Sequence, residues 1–334
     1  MKSFEELGFE SQQQYAFPTI VNLCVLRGNC PCRCVHCPVG ITQPKERKEK
    51  FGDISISLEL FRKVVLEMST YPHSTLRIHG VGDPIFWNGL ADALYFSQEH
   101  RVRTWLFTSL VTSDISLLEM LAQHCDIIEI SLNSYDETNY KKSKGIPGFS
   151  QVIKNLETLK TSCRNNRLST RIIVSRVESE DKSYDEAFVH FWQHSDLVDD
   201  AFIRSYHDYN HTLENKFREP QGKIVPCLVH WSRFNIDCDG SAVICFNELF
   251  KGRYANESLI LGNIQDQTIK EIWHDEKLNQ VRRAQLAKDY TLVDFTAQLP
   301  CQDCLSCQSM KEKQNPTSEY QVKMLTMRIG KEHG

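Results

Sequence analysis

Four cysteines lie within eight residues of each other, in the segment Cys30-Pro-Cys-Arg-Cys-Val-His-Cys37. Soft thiolates at this density favour zinc or an iron–sulfur cluster over harder cations. A structural zinc site usually joins two C-x2-C pairs from separate loops, whereas Cys30, Cys34 and Cys37 form one C-x3-C-x2-C triplet in a single loop. Three protein ligands leave one coordination position open for a reactant. Cys32 is an additional thiol, so the choice of three ligands among the four stays open.

Six further cysteines lie after residue 220. They include a C-x12-G-x4-C pattern (Cys227, Gly240 and Cys245) and a C-x2-C-x2-C pattern (Cys301, Cys304 and Cys307). This part of the chain has little apolar core and is small enough to need a metal to stabilise it.

Short β-type runs alternate with helical patterns through the first two-thirds of the chain. The predicted strands are Ile20–Leu26, Thr75–His79, Arg103–Phe107, Ile127–Leu132, Arg171–Val174 and Ala201–Arg204. Six consecutive βα units predict a parallel sheet, and six fall short of a closed eight-fold barrel. The expected fold is therefore α/β, a partial (β/α)6 barrel whose active site lies at the carboxyl ends of the strands. The cysteine-rich loop directly follows the first strand, at that end.

Helix signals support this arrangement. Leu58–Met68 and Gln151–Ser162 repeat apolar residues with the helical period. Capping boxes Ser116-x-x-Glu119 and Thr268-x-x-Glu271 predict helix starts, the second helix running to about Leu286. The stretch Glu214–Lys223 is polar and predicts a linker, beyond which a small α+β part begins with two strands.

The Cys30, Cys34 and Cys37 triplet resembles the signature of the radical S-adenosylmethionine (SAM) superfamily. The resemblance implies a [4Fe–4S] cluster held by these three cysteines, with SAM chelating the fourth iron and a 5′-deoxyadenosyl radical as the reactive species. His36 stands where this family commonly has an aromatic residue, and a planar imidazole could still pack beside the adenine.

The segment Gly80-Val-Gly-Asp-Pro84 resembles the family's G-G-E-P loop, which receives the methionyl amino group. The resemblance implies SAM-binding roles for Gly80, Gly82, Asp83 and Pro84. Polar residues at later strand ends are further candidates by the same analogy. Among them, Ser131 and Arg176 are the preferred contacts, Arg176 as a bidentate partner of the SAM carboxylate.

The C-terminal cysteines resemble those of the SPASM domain and its shorter twitch variant, which carry auxiliary iron–sulfur clusters. This resemblance implies an auxiliary [4Fe–4S] cluster on Cys227, Cys245, Cys301 and Cys304. Cys307 competes with Cys301 or Cys304 for the assignment, and a structural zinc ribbon is the alternative.

Two further residues are candidates for catalysis. Cys238, in the turn between the two predicted C-terminal strands, could donate a hydrogen atom to a substrate radical, or could be only a turn residue. His207, in the loop Arg204–His211, could act as a base because its ordinary pKa lies near neutrality. A solvated loop is the alternative for that segment.

The predicted organisation is an N-terminal extension (1–18), the barrel (19–213), the auxiliary cluster domain (214–312) and a tail (313–334). A net charge of −4 gives no reason to expect nucleic acid or an anionic membrane as partner. No apolar run approaches the roughly 20 residues of a bilayer span. The N-terminus lacks the pattern of a signal peptide, so 13 cysteines predict a reducing compartment, the cytoplasm.

The resemblance implies reductive cleavage of SAM and oxidation or epimerisation of a polar small molecule, of sugar or aminocyclitol type. An electron donor such as flavodoxin or ferredoxin is the expected partner. The alternatives are a maturase that modifies a ribosomal peptide and a non-enzymatic zinc-binding scaffold.

Overall fold

A computed structural model describes residues 3–4, 7, 9, 11–214, 224–296 and 299–304. One nine-stranded sheet runs through these residues. Its strands are β1 (Ile20–Arg27), β2 (Thr75–Val81), β3 (Arg103–Thr108), β4 (Ile127–Ser131), β5 (Arg171–Val177), β6 (Asp200–Arg204), β7 (Arg233–Ile236), β8 (Ser241–Val243) and β9 (Ile260–Asn263). The spatial order is β6-β5-β4-β3-β2-β1-β7-β8-β9.

The first six strands are parallel neighbours in sequence order, which confirms the partial (β/α)6 barrel. The helices that the structure describes are α1 (Gln12–Ala16), α2 (Pro38–Ile41), α3 (Pro44–Phe51), α4 (Leu58–Met68), α5 (Leu90–Glu99), α6 (Ile115–His124), α7 (Glu137–Lys144), α8 (Phe149–Asn166), α9 (Lys182–Gln193), α10 (Leu228–Trp231), α11 (Ile269–Trp273) and α12 (Glu276–Ala287). None of them is both long and apolar enough to cross a membrane.

Two helix boundaries differ from the sequence-based expectation. α6 starts at Asp114, whose side chain accepts a hydrogen bond from Leu117 N at 3.0 Å, so the predicted Ser116 cap is wrong. Asp is an equally good N-cap and comes two residues earlier, which places Ser116 inside the first turn. The Thr268–Glu271 capping box is present, but the helix ends at Trp273 and a second one, capped by Asp275, follows.

The two faces of the sheet have different chemistry. The outer face packs apolar residues such as Leu76 and Ile78 against the helices in the main core. The inner face is closed near the amino ends of the strands by a cluster of buried apolar side chains, Ile20, Trp105, Ile127, Ile173 and Phe202. Polar inner-face residues lie beyond this cluster, towards the carboxyl ends.

The C-terminal strands continue the barrel sheet. β7 pairs in parallel with β1, matching Ile20 with Arg233 and Asn22 with Asn235, and β8 and β9 follow antiparallel. Most of the predicted linker, Cys307 and the 313–334 tail lie outside the described residues, and the domain boundaries stay a prediction.

Candidate active site

A cavity of about 200 Å³ lies at the carboxyl ends of the strands. Both cysteine sets line it: Cys30, Cys32, Cys34, Cys37, Cys227, Cys245, Cys301 and Cys304. The structure thus brings together residues from two regions that are almost 200 positions apart in sequence.

One buried arginine holds the first cysteine loop. Arg47 on α3 donates from Nη1 to Cys30 O at 2.6 Å, from Nη2 to Cys32 O at 2.9 Å and from Nε to Thr42 O at 3.1 Å. Its residue is only 4% exposed. Because charge-assisted hydrogen bonds are strong and directional, this guanidinium fixes the loop backbone. Sequence analysis missed Arg47, since it lies in a charged run that is typical of a solvated helix.

The end of α7 supports the same loop from another side. Arg33 N donates to Lys144 O at 2.7 Å, and Val35 N donates to Ser143 O at 3.1 Å. Gly145 has a φ of +67°, and a Cβ there would lie 2.4 Å from Arg33 O, so only glycine allows this close approach.

Lys144 is a buried cation beside the thiols. Its Nζ donates to Ser131 Oγ at 3.1 Å. Burial opposes its charge, but the neighbouring Cys34, Cys32, Cys30 and Asp83 together outweigh burial and raise the pKa of Lys144. No sequence pattern singles out this residue, since the last turn of a helix is an ordinary place for a lysine.

The four thiols of the loop lie close enough to one another to change each other's pKa. Hydrogen bonds with Cys30 and Cys34 lower the pKa of Cys32, while burial raises the pKa of Cys37. Cys32 is 1% exposed and lines the cavity. Cys32 is therefore also placed to act as a ligand, and the set Cys30, Cys34 and Cys37 stays a prediction.

The glycine-rich loop after β2 packs directly on the cysteine loop. Asp83 N donates to Asn29 O at 2.8 Å, and a Cβ on Gly82 would lie 2.5 Å from that same oxygen. Gly80, Gly82 and Asp83 line the cavity, and Pro84 starts the short 3-10 turn that follows.

Asp83 ties this loop to the end of β3. Its carboxylate accepts from Thr108 Oγ1 at 2.7 Å and from Ser109 N at 2.9 Å, and burial raises its pKa. The side chain is thus anchored within the protein, which suits the shorter Asp at a position where the family's loop more often has Glu.

The two candidate SAM contacts at later strand ends are placed differently. Ser131 lines the cavity and accepts hydrogen bonds from Lys144 and from Asn133 Nδ2 at 3.0 Å. Arg176 is not among the described cavity-lining residues. Its Nε donates to Asp185 Oδ1 at 2.6 Å and its Nη2 to Ser179 Oγ at 3.0 Å, so this guanidinium anchors α9. Arg176 lines a neighbouring pocket together with His36, and its contact with the SAM carboxylate stays a prediction.

The auxiliary cysteines form a second thiol set in the cavity wall. Burial raises the pKa of Cys245 and Cys301, and the other cysteines of the set raise both further. His230 Nε2 lies 3.9 Å from Cys301 Sγ. Gly240, the glycine of the C-x12-G-x4-C pattern, has a φ of +86° in the turn between β7 and β8, where its N–H donates to Asp237 O at 3.0 Å.

The two candidate catalytic residues, His207 and Cys238, lie in different places relative to the cavity. His207 lines the cavity. Cys238 is 5% exposed, is not among the described lining residues, and places its Sγ 3.7 Å from Cys24 Sγ. A thiol buried against another strand does not reach a substrate radical in the cavity, so the predicted hydrogen-donor role of Cys238 is not supported.

The donor chemistry fits iron–sulfur clusters. Cysteine thiolates are the ligands that such clusters use, and two separate sets of cysteines line one cavity. Comparison with known families agrees. Residues 25–185 match the radical SAM superfamily, and residues 227–305 match the SPASM iron–sulfur cluster-binding domain.

The chain therefore belongs to the radical SAM superfamily and carries a SPASM domain, with [4Fe–4S] clusters and SAM as the cofactors that these domains use. No curated protein matches the sequence.

Solved structures share the fold at low identity. Streptococcus suis SuiB, bound to its precursor peptide SuiA, aligns with a TM-score of 0.60 and 13% identity over 79% of this chain and 66% of its own. The protein anSMEcpe with bound AdoMet aligns at 0.60 and 14%, over 92% of this chain and 95% of its own. BtrN, in complex with AdoMet and 2-DOIA, aligns at 0.50 and 14%, over 90% of this chain and 95% of its own.

Proposed function

We propose that this protein is a radical SAM oxidoreductase that oxidises, or alternatively epimerises, a polar small molecule of sugar or aminocyclitol type. One observation carries the proposal: both cysteine sets line the same cavity. A substrate in that cavity would lie between the site that generates the radical and a second redox-active site.

Oxidation of a carbinol removes a hydrogen atom from carbon, a proton from oxygen and one more electron. When bound, the cofactors supply the radical that takes the hydrogen atom and a centre that takes the electron. The proton is assigned to His207, which lines the cavity and whose imidazole can accept it. Arg47 and Lys144 hold the cysteine loop in place. The position of Cys238 favours oxidation over epimerisation, because an epimerase must return a hydrogen atom to the substrate.

Modification of a ribosomal peptide is the second candidate. SuiB was solved with its precursor peptide and anSMEcpe with the Cp18Cys peptide, on folds like this one. The aminocyclitol-type candidate has a comparable precedent in BtrN with 2-DOIA. The polar inner face of the barrel favours the small molecule.

A reducing cytoplasm and a donor of the flavodoxin or ferredoxin type complete the proposal.

Anaerobic reconstitution tests the proposal. We expect about eight irons with matching sulfide per chain, and 5′-deoxyadenosine on reduction with SAM. Deuterated polyols and aminocyclitols should then transfer deuterium to 5′-deoxyadenosine. Stoichiometric zinc without iron would contradict the enzyme and support a scaffold, and deuterium transfer only from peptides would support the second candidate.

A further inference from the structure

Three polar side chains form a continuous group on the inner face of β1 and β2. We call Asn22, Arg77 and His79 the β1–β2 polar patch. Asn22 is paired in register with Arg77, and His79 follows Arg77 two residues later on the same face. All three line the cavity. Asn22 is 3% and His79 is 2% exposed, so the patch lies deep in the barrel.

Asn22 Nδ2 donates to Asn235 Oδ1 at 2.9 Å, but four other polar atoms of the patch have no such partner among the described residues. Asn22 Oδ1, Arg77 Nε and both ring nitrogens of His79 are buried and make no hydrogen bond within the described part of the chain. Buried polar groups in folded proteins almost always have a partner. Four such atoms side by side in a cavity wall therefore point to a ligand that satisfies them.

The charges around Arg77 also favour a ligand, because positive charge is in excess there. Arg77 Nη2 lies 3.7 Å from Glu129 Oε2, beyond hydrogen-bond distance. Arg204 takes the same carboxylate with two hydrogen bonds, including Nε to Oε1 at 2.6 Å. One buried carboxylate thus faces two guanidinium groups. It accepts hydrogen bonds from Arg204 and none from Arg77.

Arg77 stays a cation in this setting. Burial, and then Arg204, lower its pKa to about 9, which leaves it charged at neutral pH. Its guanidinium carbon lies 5.3 Å from the centre of each of the Trp105 and Phe107 rings, which support it from below. Burial lowers the pKa of the third nearby cation, Arg233, to about 10, while the auxiliary cysteines Cys227 and Cys245 raise it.

His79, unlike Arg77, is neutral. Burial, together with Arg77 and Arg27, holds the pKa of His79 well below its ordinary value. The neutral imidazole offers one donor and one acceptor, and Asn22 Oδ1 offers another acceptor. A hydroxyl group, which both donates and accepts, is the matching partner.

We propose that the β1–β2 polar patch binds an oxyanion of the substrate on Arg77 and a hydroxyl group on His79 and Asn22. The substrate class is then a hydroxylated acid, either a carboxylate or a phosphate ester. Alternate residues of a strand lie about 6.6 Å apart, a separation that one sugar-sized molecule spans. This inference rests on the proposed function, because it names the substrate class of that same cavity.

Binding to the reconstituted holoprotein with saturating SAM tests the inference directly. The probes are labelled D-gluconate, D-glucose 6-phosphate and the neutral polyol D-glucitol, measured by anaerobic equilibrium dialysis. We expect at least one acid to bind about tenfold or more tightly than glucitol, and the acid that does so distinguishes carboxylate from phosphate. Equal binding of all three, or no binding, would overturn the inference.

Substitutions assign the binding to the patch. Arg77→Gln should weaken acid binding about tenfold and leave glucitol binding unchanged, whereas Arg77→Lys should restore part of the affinity. Glu129 keeps its pair with Arg204 in both variants, so the fold is expected to survive, and iron content checks this. Arg171→Gln is the matched control, since it removes an arginine of β5 that is not among the described lining residues.

The same samples separate this inference from the proposed function. If SAM is cleaved but acid binding does not depend on Arg77, the patch is not a substrate site and the proposed function stands. If acids bind through Arg77 but no deuterium moves from the deuterated forms of these acids, from any polyol or from any aminocyclitol, the patch stands and the proposed function fails. If Arg77→Gln weakens SAM binding in place of acid binding, Arg77 serves the cofactor and the inference is overturned.

Discussion

The guanidinium of Arg27 and the carboxylate of Asp237 form a buried ion pair of 3.0 Å, although 210 residues separate them in sequence. Their side chains are 0% and 5% exposed. Arg27 also donates to Leu249 O at 2.9 Å. The end of β1, the turn after β7 and the segment beyond β8 are thus joined at one point.

Breaking this pair should strongly destabilise the protein. Asp237→Ala leaves a buried guanidinium without its carboxylate, and we expect the free energy of unfolding to fall by about 3–5 kcal/mol. Anaerobic denaturant unfolding measures this. The control is Asp53→Ala, which breaks the exposed pair with Lys48 and should cost less than about 1 kcal/mol. Equal losses in both variants would contradict the argument.

Single alanine substitutions should identify the ligands of the first cluster. Cys30→Ala, Cys34→Ala and Cys37→Ala should each abolish 5′-deoxyadenosine formation, because each removes one of the three predicted iron ligands. Cys32→Ala should keep both the cluster and SAM cleavage. Iron analysis and product chromatography read out the result, and loss of the cluster in Cys32→Ala would reassign the ligand set.

The auxiliary set should behave independently. Cys245→Ala or Cys301→Ala should lose about four of about eight irons and still cleave SAM, while substrate oxidation stops. Cys238→Ala is the control within the same part of the chain. Because its thiol lies against Cys24 and away from the cavity, it should retain all iron and full oxidation. An oxidation defect in Cys238→Ala at full iron content would restore its catalytic role.

Lys144 should tune the first cluster by its charge. Lys144→Met removes a buried cation beside Cys32 and Cys34, so the cluster should become harder to reduce by on the order of 50 mV, about tenfold in the reduction equilibrium. Redox titration followed by electron paramagnetic resonance measures the shift. Lys141→Met, an exposed lysine on the same helix, should leave the potential unchanged.

His79 should make stability depend on pH. Its pKa in the folded chain is depressed, whereas that of the unfolded chain is about 6.5. Below that pH only the unfolded chain gains the proton, so stability is complete above about pH 6.5 and falls as the pH is lowered. His79→Gln should remove up to about 1.4 kcal/mol of this loss per pH unit. Denaturant unfolding at pH 7.0 and 5.5 measures how the free energy of unfolding changes with pH. The control His194→Gln, at an exposed histidine, should keep the pH dependence of the wild type. A His79→Gln variant with that same pH dependence would refute the prediction.

The sequence predicted the barrel well because each of its signals is local. The β-type runs and the thiol spacing both lie within short windows, and the structure has strands and a cysteine-lined cavity at those places. The inner-face polar patch was also readable in principle. In β2, Thr75, Arg77 and His79 alternate with Leu76 and Ile78, which is typical of a strand with one polar face.

Residues that act at long range were not predictable in this way. Arg47 and Lys144 look like ordinary helix-surface residues until the fold turns them towards the cysteine loop. The turn containing Cys238 gave no sign that β1 would supply Cys24 beside it, 214 positions away. The ion pair of Arg176 was not predictable for the same reason, since Asp185 meets it only after α9 packs.

The pairing of β7 with β1 has a consequence for how the chain folds during synthesis. The outer edge of β1 is complete only once residues 233–236 have left the ribosome, more than 200 residues after β1 itself. Among the residues that the structure describes, 54–56 pair only with the end of β1 from Val25 onwards, so until then residues 20–23 present an open, apolar strand edge, a template for intermolecular pairing. Chains truncated before Arg233 should therefore aggregate, and nascent chains of that length should be held by chaperones.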